Sequence, residues 1–139
     1  MDIEKLLAEG EVIKIKPQGW SMYPLITYGR DYAIVEPADS KSLKAGDVVL
    51  YRRDESILVL HRIWKRKGDE FYMVGDNQTE IEGPLRADQI KGRMIKVIRK
   101  GKEISVNNVG YRIYSRLWMW LRPCRPVIGK VVHRLKRKK

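Results

Sequence analysis

Cysteine is nearly absent from this chain: Cys124 is the only one among 139 residues. An intramolecular disulfide is therefore excluded, and cysteine usage does not diagnose a redox compartment. Histidine is almost as scarce, with His61 and His133 alone. No Cys/His cluster offers a metal site, so neither a metal nor a cofactor is expected. Acidic residues are missing from 110–139, a stretch that holds ten Lys or Arg. No apolar run approaches the ~18 residues of a spanning helix. The charged start, Met1-Asp2-Ile3-Glu4-Lys5, does not read as a secretory signal. The expected location is cytoplasmic or peripheral to a membrane, with no transmembrane helix.

What is present fits one domain with an appendage. Hydrophobic residues make up 43%, close to an ordinary globular composition, which argues against wholesale disorder. The formal net charge of +12 is unevenly placed: residues 1–109 hold 19 basic residues against all 17 acidic ones. The body is nearly neutral and the tail strongly cationic. Such asymmetry points to an anionic partner, phospholipid or nucleic acid. No recognised nucleic-acid module accompanies it, so a nucleic-acid partner is the weaker expectation.

The pattern is one of many short strands. Asp2 can cap a helix from Ile3 to Glu9 that ends at Gly10. Val12 to Ile15, Asp31 to Glu36, Val48 to Tyr51, Ile57 to Trp64, Glu70 to Val74, Ile90 to Arg99 and Glu103 to Val106 read as strands. Pro24 suits the first turn of a short helix beginning near Ser21. Gly75 to Ala87 reads as a long polar loop, a length that is often functional. The expected fold is mostly β, a coiled or barrel-like sheet in a domain over 1–109. A basic, amphipathic helical tail over 110–139 follows.

Four residues carry the candidate chemistry. Ser21 follows Gly19-Trp20 in a tight turn. Gly19 can take backbone angles forbidden to other residues, leaving N–H groups around Ser21 free to stabilise an oxyanion. His61 lies in an apolar strand, on the same face as Ile57, Val59 and Ile63. Imidazole is suited to act as general base toward a serine hydroxyl. Asp76 and Glu82 are candidate carboxylates to orient it. Taken singly, each has a plainer reading: a helix cap, a sheet histidine, a turn residue and a solvated loop charge.

Their order changes the weighting. Ser21-Met22-Tyr23-Pro24, Gly46-Asp47-Val48-Val49, His61-Arg62-Ile63, Gly75-Asp76-Asn77 and Gly92-Arg93 follow one another. This series, spanning roughly Val12 to Arg99, resembles the boxes of type I signal peptidases. Most bacterial members, and the related self-cleaving repressor proteases, use a lysine base. With His61 at that position the chain resembles the endoplasmic-reticulum-type branch, which uses Ser, His and Asp. In that branch the acidic positions fall in the Gly-Asp-Asn box and six residues later. Asp76 matches the first, and Glu82 stands at the second, where the family has Asp. Lys65, four residues beyond the base position, reads as a surface lysine. Typical members also carry an N-terminal membrane anchor, which this chain is read as lacking. Some place a serine two residues before the nucleophile; here Gly19 stands there, leaving backbone N–H groups as oxyanion donors.

The resemblance implies a serine endopeptidase that cleaves signal or leader segments of precursor proteins or peptides. The competing expectation is a non-catalytic peptide-binding module docked to a membrane or partner by its tail. A self-cleaving regulatory protease is a third. Within the tail, Tyr111, Tyr114, Leu117, Trp118 and Leu121 recur at helical spacing and are the expected membrane contacts. Beyond Pro123 and Pro126, a second amphipathic stretch places Val127, Ile128, Val131, Val132 and Leu135 on one side. The closing Lys136-Arg137-Lys138-Lys139 would add attraction to anionic lipid.

Overall fold

The computed structural model describes residues 2–19, 21–53, 57–78 and 80–121. Trp20, Cys124, His133, the second amphipathic stretch and the terminal lysines and arginine lie outside the described residues. A short helix α1 (Ile3–Ala8) is capped by the Asp2 carboxylate, which accepts from the Lys5 N–H at 3.1 Å. Eight strands follow: β1 (Ile13–Ile15), β2 (Tyr32–Pro37), β3 (Val48–Arg52), β4 (Leu58–Lys67), β5 (Glu70–Val74), β6 (Glu82–Arg86), β7 (Ile90–Arg99) and β8 (Lys102–Ser105). Helix α2 (Val109–Trp120) closes the described chain.

All eight strands join one antiparallel sheet in the order β1-β2-β7-β3-β4-β5-β6, with β8 pairing β7. The mostly β fold with a C-terminal helix follows the sequence reading, and the strand path is open rather than closed on itself. Side-chain alternation along the central strands explains the shape. Val48, Leu50 and Leu60 enter one apolar cluster with Ile13, Met22, Ile26, Val35 and Met94. Val49, Tyr51 and Ile63 enter a second with Phe71, Met73 and Leu85. β3 is covered on both faces, which is why Val48-Val49-Leu50-Tyr51 reads as an unbroken apolar run.

Two local expectations change. The helix expected from Ser21 is a series of turns, in which the Ile26 N–H reaches the Met22 carbonyl at 2.9 Å. Pro24 has no N–H to contribute to a helical ladder. The polar loop expected over Gly75 to Ala87 contains β6. Glu82-Gly83-Pro84-Leu85-Arg86 has weak strand propensity, yet Leu85 is buried opposite Phe71 in β5. Proline is tolerated because β6 is an edge strand, where an N–H need not enter the ladder.

Candidate active site

Ser21 and His61 line one cleft of about 450 Å³. Ile15, Lys16, Pro17 and Gln18, the chain leaving β1, form one wall; Leu58, Val59 and Leu60 of β4 form another. Gly19, with φ +81°, makes the bend before the serine, a conformation that disfavours any side chain. Among the described residues no direct hydrogen bond joins Ser21 and His61. Catalytic contacts of this kind often tighten only when substrate is bound.

The Gly75-Asp76-Asn77 turn holds the serine in place. The Asn77 N–H donates to the Ser21 carbonyl at 2.8 Å. A Cβ on Gly75 would lie 2.6 Å from that same carbonyl oxygen, so the close approach requires glycine. The box therefore positions the candidate nucleophile through the backbone.

Asp76 has a different partner from the one expected. Both its oxygens accept from Arg62, Nε at 2.8 Å and Nη2 at 2.9 Å, and Oδ2 also accepts from the Tyr114 hydroxyl at 2.8 Å. Arg62 and Asp76 are fully buried. Burial opposes the Arg62 charge, but Asp76 outweighs it and raises the guanidinium pKa. Alternation explains the geometry: Arg62 follows His61 in β4 and so points to the other face, taking Asp76 with it.

Glu82 is the carboxylate on the His61 side. It opens β6, and its oxygens accept from Arg53, Nε at 2.9 Å and Nη2 at 2.9 Å. Oε1 also accepts from the Tyr51 hydroxyl at 2.7 Å, and that hydroxyl lies 2.9 Å from His61 Nδ1. Partial burial acts to raise the Glu82 pKa, but hydrogen bonds from Arg53 and Tyr51 prevail and lower it. His61 is 3% exposed. Burial pushes its pKa down to about 4, Arg53 adds to the fall, and Glu82 and Asp76 partly counter it. The imidazole is thus neutral and able to accept a proton at ordinary pH.

Tyr51 and Arg53 did not stand out in the sequence. For Tyr51 the signal was the β3–β4 pairing. Val49 faces His61 and Tyr51 faces Val59, which makes Tyr51 the diagonal neighbour of His61. Aromatic side chains span that diagonal.

Helix α2 corrects the expected membrane face. Tyr111 is buried in the first core cluster, and Tyr114 packs against that cluster. Tyr114 stacks on Trp118, whose indole N–H donates to the Asp76 carbonyl. Arg62 also donates to the Ser115 hydroxyl from below the helix. Tyr111, Tyr114 and Trp118 are therefore engaged with the β domain, and Leu121 is half-buried; of the expected five, Leu117 is exposed. On the inward face Tyr114, Ser115 and Trp118 supply hydrogen-bond partners to the buried Arg62–Asp76 pair, whose desolvation makes such partners necessary.

Among the described residues no group of three or more His, Cys, Asp or Glu is placed to hold a metal ion. No helix among them is long and apolar enough to cross a membrane. No curated protein matches the chain. The model of the Peptidase S24-like family matches residues 2–106, from α1 through β8. That span is the entire sheet with its cleft, and the chain belongs to the Peptidase S24-like family.

Proposed function

We propose that the protein is a serine endopeptidase that cleaves extended signal or leader segments of precursor proteins or peptides, in the manner of the type I signal peptidases it resembles. The observation that carries this reading is the shared cleft of Ser21 and a neutral His61. Membership of a serine-peptidase-like family supports it.

In this reading an extended peptide lies between the chain leaving β1 and strand β4, using main-chain hydrogen bonds for affinity. Ile15, Met22, Leu50 and Leu58 offer it apolar walls. Ser21 Oγ attacks the scissile carbonyl carbon as its proton passes to His61. Collapse of the tetrahedral intermediate breaks the C–N bond, and His61 returns that proton to the leaving amine. Water then repeats the sequence on the acyl-enzyme. Backbone N–H groups near Gly19 and Ser21 are assigned to the oxyanion. Glu82 supplies the carboxylate on the His61 side, and Asp76 holds the nucleophile turn through Arg62 and Asn77.

The working location is an anionic membrane surface. Val109, Ile113, Leu117 and Trp120 share one outward face of α2 and are exposed, with exposed Arg112 and Arg116 beside them. An apolar strip flanked by cations is complementary to an anionic lipid interface.

The test is incubation of the full chain with a library of precursor segments, read by mass spectrometry. Ser21→Ala and His61→Ala are expected to abolish cleavage with the circular dichroism spectrum unchanged. Undiminished processing by both variants would sink the peptidase reading.

A further inference from the structure

The Tyr51 hydroxyl is fully enclosed between two polar atoms. It lies 2.7 Å from Glu82 Oε1 and 2.9 Å from His61 Nδ1. A phenol has one proton to give. Glu82, paired with Arg53 through two hydrogen bonds, is an ionised carboxylate and can only accept. If the phenol proton pointed at His61 instead, two oxygen acceptors would face each other at 2.7 Å with nothing between them. The phenol proton therefore points at Glu82, and the Tyr51 oxygen turns a lone pair toward Nδ1. That nitrogen must then carry hydrogen.

We propose that Tyr51 is a positioning residue that locks neutral His61 as its Nδ1–H tautomer, carrying the hold of Glu82 to the imidazole without touching the carboxylate to it. This rests on the reading of Ser21 and His61 as nucleophile and base. The consequence is that Nε2 keeps its lone pair and is the atom that receives the Ser21 proton. No proton moves along the Tyr51 link: the phenol keeps its own and Nδ1 keeps its own throughout.

Other features agree. Tyr51 is fully buried, and burial together with Glu82 raises its pKa, so the phenol stays protonated. The Tyr51 and His61 rings meet edge-on, with centroids 5.9 Å apart and planes at 62°, which fixes the imidazole rotation from the same residue. The charged groups acting on His61 are Glu82 from β6, Arg53 beyond the end of β3 and Asp76 from the Gly75-Asp76-Asn77 turn. Asp76 spends its oxygens on Arg62 and Tyr114, so Tyr51 is the polar side chain bonded to Nδ1 among the described residues.

The experiment is long-range ¹⁵N–¹H spectroscopy of the histidine-labelled full chain at neutral pH, with His61→Gln assigning the signal. The wild-type ring is expected as Nδ1–H with Nε2 unprotonated. Tyr51→Phe keeps the ring and loses the hydroxyl, and it is expected to mix in the Nε2–H form. Its kcat should fall by about 100-fold with KM nearly unchanged, the range of a misdirected general base. A wild-type Nε2–H ring overturns the proposal whatever the variant does. So does an unaltered tautomer or an unaltered kcat in Tyr51→Phe. The spectra need no cleavage: a chain with the expected tautomer and no peptidase activity would sink the proposed function and leave the Tyr51 lock standing.

Discussion

Two carboxylates six positions apart have opposite fates, and the difference lies in the cation each one meets. Asp76 meets Arg62 in a fully buried pair. Glu82 meets Arg53 at the surface of the sheet, where the carboxylate is 31% exposed and still reaches Tyr51. Removing one partner of a buried pair strands the other charge, at a cost of about 3–5 kcal/mol. Asp76→Asn is therefore expected to lower stability by about that amount, read as a shift of the urea midpoint. If Asp76 instead oriented His61 directly, the same variant would lose cleavage at undiminished stability. The Gly-Asp-Asn box was legible as a motif. Its carboxylate role was not, because a turn sequence says nothing about which arginine comes to meet it.

At the scale of elements, α2 shows what periodicity can and cannot decide. The helical spacing of Tyr111, Tyr114, Leu117, Trp118 and Leu121 correctly marks a helix. It does not say which face turns inward. The Tyr114 and Ser115 hydroxyls and the Trp118 indole face the Arg62–Asp76 pair, while Val109, Ile113, Leu117 and Trp120 face out. Amphipathic side chains are useful where one end packs and the other bonds, and Tyr and Trp supply both. The outward face makes a prediction. The full chain should co-sediment with vesicles containing anionic phospholipid and less with zwitterionic ones, the binding weakening as salt rises. Ile113→Asp and Leu117→Asp should each reduce vesicle affinity about tenfold or more, the worth of one exposed aliphatic side chain newly buried. Equal binding by wild type and both variants would show that this face does not meet lipid. Strand β6 carries the complementary lesson. Gly83 and Pro84 hid it, and pairing with β5 made it a strand and put Glu82 within reach of Tyr51.

For the whole molecule, the site and the fold share a dependence on pH. His61 is buried neutral, with a folded pKa of about 4 against an ordinary 6.5. Between those values the unfolded chain binds a proton at this residue and the folded chain does not, so stability rises with pH across the window. The gain is about 3 kcal/mol at most, from about 1.36 kcal/mol per pKa unit. Glu82, whose folded pKa is lowered, adds stability above its ordinary value that is lost on acidification, in the same direction. The urea midpoint should therefore climb from pH 4 to about 6.5 and then level off. Cleavage should retain its basic form well below pH 6.5, its acid limb falling near the folded His61 value. A midpoint flat over that range would contradict the buried neutral imidazole.

The amino-acid sequence by itself determined the strand-rich domain, the Gly19-to-Ser21 turn, the imidazole strand and a helix after Asn108. Each of these is written in neighbouring residues: backbone freedom, alternation, capping and helical spacing. Only the tertiary structure decided that Asp76 belongs to Arg62, that Tyr51 stands between Glu82 and His61, and that α2 turns its hydroxyl-bearing face inward. Those outcomes depend on strand register and on charges meeting across tens of positions. A one-residue change of register would exchange the faces of β4 and with them the partners of His61 and Arg62.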